Sequence, residues 1–543
     1  MKYDSWVIRS KLPKDPISAI LEEKKKSGFV LDPSYENISK PGLINDLSKA
    51  KAIILKAISK KERIGIFMDY DADGVCAGAV LYKALECLGA KCDYYVPQRD
   101  EGYGLTKDAI RKLAKNNVKL IITVDCGIRN TEEIKYAREV GVKIIVTDHH
   151  LLGDEIPKAE AVVHPTLNPT EGAFTGYSGA GVAFQLARAL LGNRGYSKWL
   201  LDLVSISTIA DMVPLVADNR IIVKYGFLVL SKTRNIGLKF LIKEAGLEEN
   251  NIGSYEVGYI LAPRLNAAGR MATPKDSFEL LISNDKKKAK NLAQKLNKYN
   301  LIRQKQLSSS TEEALRIITK EKLFLKNIII IKGDWNEGIV GLISGKVTNE
   351  YQRPSIIFTE SDGKLKGSAR SVPSIDITET VGKFSDLLLS FGGHRQAAGL
   401  SLEKRNFNKF KKLIEGDLAK LDRGSFERKL IVDALVDIDD INISFAKKIE
   451  KLAPFGIGNR QPVISLGGVR VEKMKFVGKE NNHMSLFVCS RGRSCKAILF
   501  DYNQEVFEIE EEKEYDIAFK LMIDKWNGRE KINLHIIDAK KTG

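Results

Sequence analysis

Three short apolar runs constrain the fold of this chain more than any other feature: IGIFM at 64–68, KLIITV at 119–124 and KIIVT at 143–147. Each is rich in β-branched or aromatic residues, and each is followed within a few residues by an acid. A strand with one wet face alternates apolar and polar residues. Continuous apolar runs are instead buried on both faces, as in a parallel sheet covered by helices. Helical patterns over 74–88 and 131–140 lie between the runs, so strand and helix alternate. That order predicts an α/β domain built on a parallel, doubly wound sheet. A fourth apolar segment, LVSISTIADMV at 203–213, reads as helix and stops at Pro214.

At 543 residues the chain is too long for one ordinary domain. Near 275 the texture changes: residues 285–322 are polar, lysine-rich and free of Gly and Pro, with Leu292, Leu296, Leu301 and Leu307 interspersed. This predicts a long connecting helix. A second α/β unit follows, with a strand at 328–331, a helix around 339–348 and a strand at 355–358. After APFGIGNRQP at 453–462 come short alternating strands such as 485–489 and 496–500, the pattern of a small β-barrel of OB type. The expected division is 1–274, 275–322, 323–430 and 431–543, with no internal repeat.

A net charge of +17 favours a polyanionic partner, nucleic acid before an acidic membrane surface. No apolar run is long enough to span a bilayer, and MKYDSWVIRS lacks the apolar core of a secretion signal, which together predict a cytoplasmic protein. The six cysteines form no CxxC pair and read as reduced, mostly buried thiols.

In a parallel α/β sheet, ligands collect beyond the carboxyl ends of the strands, at a switch in strand order. MDYDADG places Asp69, Asp71 and Asp73 there, VDCG adds Asp125, VTDHH adds Asp148, His149 and His150, and ADMVP offers Asp211 at a helix end. If the chain stays extended, period-two spacing puts Asp69, Asp71 and Asp73 on one side. So many carboxylates in one crevice repel and raise one another's pKa unless cations neutralise them. Oxygen ligands with one or two imidazoles suit Mn²⁺ or Mg²⁺. Two such ions about 3.5–4 Å apart can activate water and clamp a phosphoryl group. Any one of these acids alone is more often a cap or turn former; the whole set, in a chain with only six histidines, favours metal. GLISGKV at 341–347 lacks the spacing of a P-loop, HExxH and GxSxG are missing, and the glycines of EGYGLT at 101–106 shape a turn.

Together, DYDADG, VDCG, VTDHH and ADMVPL resemble the four motifs of the DHH phosphoesterase superfamily, and GGHRQAAG at 392–399 is similar to the signature of its DHHA1 accessory domain. EGYGL, APRLNAAGR, GSARS and PFGIGN narrow the resemblance to the RecJ family of single-strand-specific 5′→3′ DNA exonucleases, in the right order and over nearly the whole chain. The resemblance implies that Asp69, Asp71, Asp125, His149 and Asp211 hold Mn²⁺ or Mg²⁺, two ions per active site. His150 would contact the scissile phosphate or a bridging water, and Asp73 would serve as a further ligand or orienting group. Asp148 would orient a histidine, as carboxylates behind metal ligands do. On the DHHA1 side, the backbone of Gly392 and Gly393 with His394 would approach the nucleotide, and Arg370 and Ser371 would hold phosphates. Arg264, Asn266 and Arg270 would line the path between the halves. By itself, GGHRQAAG reads as a tight helix–strand turn. Met68, before Asp69, stands where glycine or another small residue is expected in such proteins, which raises the question of a changed cleft wall. A further C-terminal domain carried by some relatives is not expected after the barrel.

The activity implied is metal-dependent hydrolysis of single-stranded DNA from its 5′ end, releasing nucleoside 5′-monophosphates, in recombination and repair. Single-stranded DNA is then the partner, with a single-strand-binding protein and a helicase as cooperating proteins and no membrane. The rivals are a DHH/DHHA1 phosphodiesterase of nanoRNA or cyclic dinucleotides, and a non-catalytic nucleic-acid-binding subunit of a replication complex. The basic helix and OB-like region exceed what a two-nucleotide substrate requires, and the complete acid and histidine set argues against a silent subunit.

Overall fold

The computed structural model describes residues 2–11, 15–26, 28–478, 480–502, 507–526 and 529–542. Its first sheet has five parallel strands in the order Lys91–Tyr95, Arg63–Met68, Val118–Val124, Lys143–Thr147 and Ala161–Val163. The three apolar runs are its central strands. Ile64, Ile66 and Met68 pack with the helices Ala72–Cys87, Gly179–Leu191 and Leu201–Ala210, while Phe67 joins Lys107–Lys115 and Thr131–Glu139 on the opposite face. From Arg63–Met68 the chain goes to one side for Lys91–Tyr95, then returns to the other for Val118–Val124. The switch in strand order therefore lies between the strands that end in Asp69 and Asp125. Register aligns Met68 with Val124, and Val124 with Thr147, so Asp69, Asp125 and Asp148 leave the sheet side by side.

Two expectations change here. The chain does not stay extended from Asp69 to Asp73, because the strand stops at Met68 and Asp71 caps the helix Ala72–Cys87, accepting from the N–H groups of Asp73 (2.8 Å) and Gly74 (3.0 Å). An N-cap carboxylate satisfies helix donors that nothing else would, and this overrides the period-two arrangement. Met68, fully buried, points away from the acids: a Cβ on Gly78 would lie 2.4 Å from its sulfur. A glycine on the facing helix thus accommodates the bulky side chain, and the cleft wall is unaffected.

The polar segment forms one helix, Lys286–Lys320, capped by Asp285. Ala289, Ala293 and Leu296 belong to the core of the first domain, whereas Ala314 and Ile318 belong to a core with Ile329, Ile343 and Ile357 of the second. The second sheet runs in the order Leu388–His394, Ala397–Glu403, Lys364–Arg370, Ser355–Ser361, Ile329–Gly333. GGHRQAAG is a strand–strand hairpin here, not a helix–strand turn, with Gly393 paired to Ala398 and His394 to Ala397. Gly393 has φ 155°, and a Cβ there would meet the Ala397 carbonyl at 2.2 Å.

The C-terminal strands close a barrel: Ile464–Val477, His483–Ser490, Arg493–Leu499, Arg529–Lys541 and Glu514–Trp526 pair in turn, and the last pairs back with the first. The N-terminal segment, grouped with the first domain in the division at 274, packs here instead. Ser5–Ile8 adds to Lys429–Val432, and Ile17, Ile20 and Phe29 enter the barrel core. A four-residue strand cannot bury itself and takes the nearest free edge. Arg220, 1% exposed, fastens barrel to first domain by donating to the carbonyls of Val30, Leu31, Leu452, Ala453 and Pro454. All six cysteines are free, but only Cys76 and Cys126 are buried and Cys87 is exposed, so "mostly buried" was too broad an expectation. Among the described residues no helix is long and apolar enough to cross a membrane.

Candidate active site

Beyond the switch point the acids and histidines converge. His149 Nε2 lies 3.1 Å from Asp125 Oδ1, 3.7 Å from Asp211 Oδ2 and 3.8 Å from Asp73 Oδ2. Asp69, Asp71 and Asp125 form a second group, each offering an oxygen within 4.8 Å of the others. Asp69 Oδ1, Asp125 Oδ1 and His149 Nε2 are buried without a hydrogen-bond partner. Buried polar atoms are nearly always satisfied, so three orphans facing one another fit divalent cations.

Local conformation aims these groups. Asp125 has φ 62°, uncommon for a residue with a side chain, and its N–H donates to Thr147 O at 3.0 Å. Asp125 fits only because residue 179 is glycine, where a Cβ would lie 2.3 Å from Asp125 Oδ1. Asp73 is held in the first turn of its helix, accepting from Gly179 N and Ala180 N (both 2.8 Å) and from Ser207 Oγ (2.6 Å). It ties the helix Gly179–Leu191 to the acid cluster, and the Oδ2 that accepts from Gly179 N is also the oxygen 3.8 Å from His149 Nε2. Asp148 accepts from Ile128 N (3.0 Å), His149 N (2.7 Å) and His150 Nδ1 (2.8 Å), which leaves His150 Nε2 as the free ring nitrogen. Tyr103 OH also reaches His150 Nδ1 at 3.0 Å, so the EGYGL turn delivers a site residue that local sequence did not mark.

Burial and mutual repulsion push Asp69 and Asp125 well above the carboxylate range, and Asp211 to about 9. Burial lowers His149. For His150 burial acts downward too, but the Asp148 hydrogen bond and charge outweigh it and the pKa is raised.

Basic groups join the acids. A cavity of about 270 Å³ is lined by the acidic and histidine groups Asp69, Asp71 and His150, by Tyr103, and by Arg99, Asn266 and Arg270. Arg270 donates to Gly338 O at 2.7 Å, and burial among Arg99, Arg303 and Arg370 lowers it to about 10. Arg370 donates to Ser368 Oγ (3.2 Å) and Ala369 O (2.9 Å) and is depressed by burial and by Arg99. Arg99 and Arg303 join this cluster unannounced by any motif. Asn266 Oδ1 accepts from Ala72 N at 2.8 Å, so it also caps the acid-bearing helix. Arg264 is not among the residues lining this cavity; it donates to Asn297 Oδ1 (3.0 Å) and Ile260 O (2.7 Å), and Arg303 is lowered by burial and by the Arg264 charge. Ser371 Oγ is buried without a partner. His394 closes the gap between the halves, its ring 6.3 Å from that of His150 and tilted by 21°. Gly392 and Gly393 precede it on the same strand.

The fold and site define a DHH protein with an appended DHHA1 domain. Residues 63–208 match the DHH family, N-terminal domain, residues 322–420 the DHHA1 domain, and residues 432–538 the RecJ OB domain. The chain belongs to the RecJ family. It is 30% identical over 530 residues to the single-stranded-DNA-specific exonuclease RecJ of Haemophilus influenzae, covering 93% of this chain and 92% of that protein. It is 35% identical over 506 residues to that of Bacillus subtilis, covering 92% of this chain and spanning 64% of that relative. The structure of Thermus thermophilus RecJ in complex with Mn²⁺ superposes with a TM-score of 0.84 at 27% identity, over 99% of this chain and 80% of that one.

Proposed function

We propose that this chain is a single-strand-specific DNA exonuclease that works from the 5′ end with two Mn²⁺ or Mg²⁺ ions, releasing nucleoside 5′-monophosphates. The observation that carries the reading is one cavity lined by the carboxylates Asp69 and Asp71, by His150, and by Arg99 and Arg270. Asp69, Asp71, Asp125, His149 and Asp211 would hold the ions, which supply charge neutralisation and a water acidified for attack on phosphorus. Asp73 and Asp148 would orient: the first bonds the helix behind Asp125, and the second holds His150 through Nδ1, so that Nε2 would be available to the scissile phosphate. Arg99, Arg270, Arg303 and Arg370 would take the terminal phosphate, with His394 and the backbone of Gly392 and Gly393 closing over the nucleotide. A grip on the terminal phosphate at a fixed distance from the metals would set polarity and make attack exonucleolytic.

Phosphodiesterases of nanoRNA or cyclic dinucleotides are the less favoured reading, since the barrel and basic helix exceed what two nucleotides need. An enzyme restricted to unpaired DNA depends on another activity to expose its substrate, so a helicase and a single-strand-binding protein are natural partners, in the cytoplasm. The test is digestion of end-labelled strands with and without Mn²⁺, comparing wild type with Arg370→Ala on 5′-phosphate and 5′-hydroxyl ends. Cleavage should require metal, and the variant should lose most of its preference for 5′-phosphate. Efficient attack on a blunt duplex, or degradation from the 3′ end, would reject the proposal.

A further inference from the structure

The helix that carries Asn266 and Arg270 into the cavity, Ala262–Met271, is preceded without a break by a π-helical segment, Glu256–Leu261. π-Helical turns are rare and occur frequently at functional sites. Here the segment buries Val257 and Leu261 and turns two tyrosines out: Tyr255 is 64% exposed and Tyr259 73%. Their rings stack on each other, centroids 5.1 Å apart and planes at 29°. Two large aromatic rings stacked on each other at the surface, beside the buried Val257 and Leu261, do nothing for the core.

The position of the pair gives it a use. A Cβ on Gly258, between the tyrosines, would lie 3.3 Å from Ile209, two residues before Asp211, so the segment sits against the helix that supplies this acid. Asn266 and Arg270 follow Tyr259 at seven and eleven residues on the same unbroken helical stretch. Behind the pair, Arg264 joins the Ile260 carbonyl to Asn297 of the long helix, whose next residue, Lys298, is exposed. Exposed aromatic rings on the helical stretch that also carries the cavity-lining Asn266 and Arg270, with an exposed lysine on the neighbouring long helix, match the way unpaired nucleic acid is held without sequence preference: phosphates follow the cations while bases lie on the rings.

We infer that Tyr255 and Tyr259 form a stacking platform for bases of the strand that trails from the active site, engaging the part of the substrate not yet being cut. This rests on the nuclease reading above. In duplex DNA the base faces are covered by their neighbours, so the platform would favour unpaired substrate outside the cleft as well.

The test uses the full chain with a single strand carrying 2-aminopurine at successive positions from the 5′ end, in chelator so that nothing is cut. Wild-type cleavage of the same strand in Mn²⁺ is measured alongside. In the wild type, fluorescence should be quenched at one or two internal positions on binding. The double variant Tyr255→Leu/Tyr259→Leu keeps apolar bulk without an aromatic face; it should lose that quenching and bind between about five- and a hundredfold more weakly. The double variant Tyr255→Phe/Tyr259→Phe should restore both, which a merely structural role for the hydroxyls would not. A wild type that neither binds nor cuts single strands would overturn the nuclease reading. If the wild type binds and cuts while the leucine variant keeps its affinity and quenching, or if the phenylalanine and leucine variants are equally impaired, the platform alone is overturned.

Discussion

Gly179→Ala is the most economical perturbation of the acid cluster, because it touches no candidate ligand yet should disable one. The added Cβ would lie 2.3 Å from Asp125 Oδ1 and 2.5 Å from its Cβ and Cγ, where carbon contacts are ordinarily about 3.5 Å or more. Neither side yields easily. Gly179 N is bonded to Asp73, and Asp125 is fixed in the left-handed region by its bond to Thr147 O. The carboxylate must therefore swing away. Overpacking of this kind costs about 1–3 kcal/mol, partly offset in metal-free protein because one of several repelling carboxylates leaves the cluster. Metal affinity should fall further: disturbing a group behind a ligand costs about 10–100-fold, and displacing the ligand should cost at least the upper figure. At Mn²⁺ equal to 100 times the wild-type Kd, wild type gains about 2.7 kcal/mol of stability, and a variant bound a hundredfold more weakly gains only ~0.4 kcal/mol. Thermal unfolding with and without Mn²⁺, with calorimetric titration, reads both quantities. Gly345→Ala, whose Cβ meets nothing within 4 Å, is the control. A folded Gly179→Ala protein with wild-type Mn²⁺ affinity would refute the argument.

Asp125→Ala should abolish hydrolysis while leaving single-strand binding largely intact, since affinity comes mainly from phosphate contacts elsewhere; substantial residual cleavage in Mn²⁺ would remove Asp125 from the metal site. In metal-free protein, Asp211 at about 9 and the raised Asp69 and Asp125 retain protons that the unfolded chain releases near pH 4. Their contribution to stability therefore falls as pH rises from about 4 through about 9; melting in chelator should show that slope, and Mn²⁺ or Asp211→Asn should flatten it. An unchanged slope in both would count against the repulsive cluster. Arg220→Ala leaves carbonyls buried and unpaired between barrel and first domain and should cost about 3–5 kcal/mol in denaturant unfolding; a loss below about 1 kcal/mol would show that water replaces the guanidinium. Lys286, Lys287, Lys290, Lys298 and Lys305 are exposed, whereas Lys288 and Lys295 are paired with Glu279 and Asp276 at 2.8 Å, so only the first group should flatten the salt dependence of DNA binding when neutralised.

What could be read in advance was what local pattern encodes. The three central strands are apolar throughout because both their faces are covered, while the edge strand Lys91–Tyr95, half-buried and carrying a charge, has no such signature. Acids at strand ends pointed to the crevice because a doubly wound sheet has only one switch point. Long-range placement was invisible. Nothing near Asp73 announces that its partners are the N–H groups of Gly179 and Ala180, and nothing separates Arg99 and Arg303, which turn into the basic cluster, from a solvated arginine. Arg264 shows the reverse, since a motif residue expected on the substrate path spends one hydrogen bond on Asn297 of the long helix and another on the Ile260 carbonyl one turn before it.

The arrangement of charge explains why this basic chain keeps so many acids in one place. The acidic and the basic groups are each unfavourable alone: burial and repulsion raise the carboxylates, and burial beside other arginines lowers Arg270 and Arg370, with only an attraction to Asp71 acting the other way at Arg270. Direct hydrogen bonding between the two sets would relieve both, yet Arg270 spends one donor on a backbone carbonyl and Arg370 donates to its own strand, while Asp69 Oδ1 and Asp125 Oδ1 stay unpartnered. The site therefore keeps unfavourable electrostatics that a phosphate with divalent cations can discharge in both sets at once. A neutral substrate would relieve neither set, and a phosphate without cations only the basic one. Substrate and metal should accordingly bind with positive coupling: Mn²⁺ should tighten a non-cleavable 5′-phosphorylated strand, and by linkage that strand should tighten Mn²⁺ by the same factor. Titrating each ligand in the absence and presence of the other measures both factors. Independence of the two would mean that the acidic and basic groups act separately.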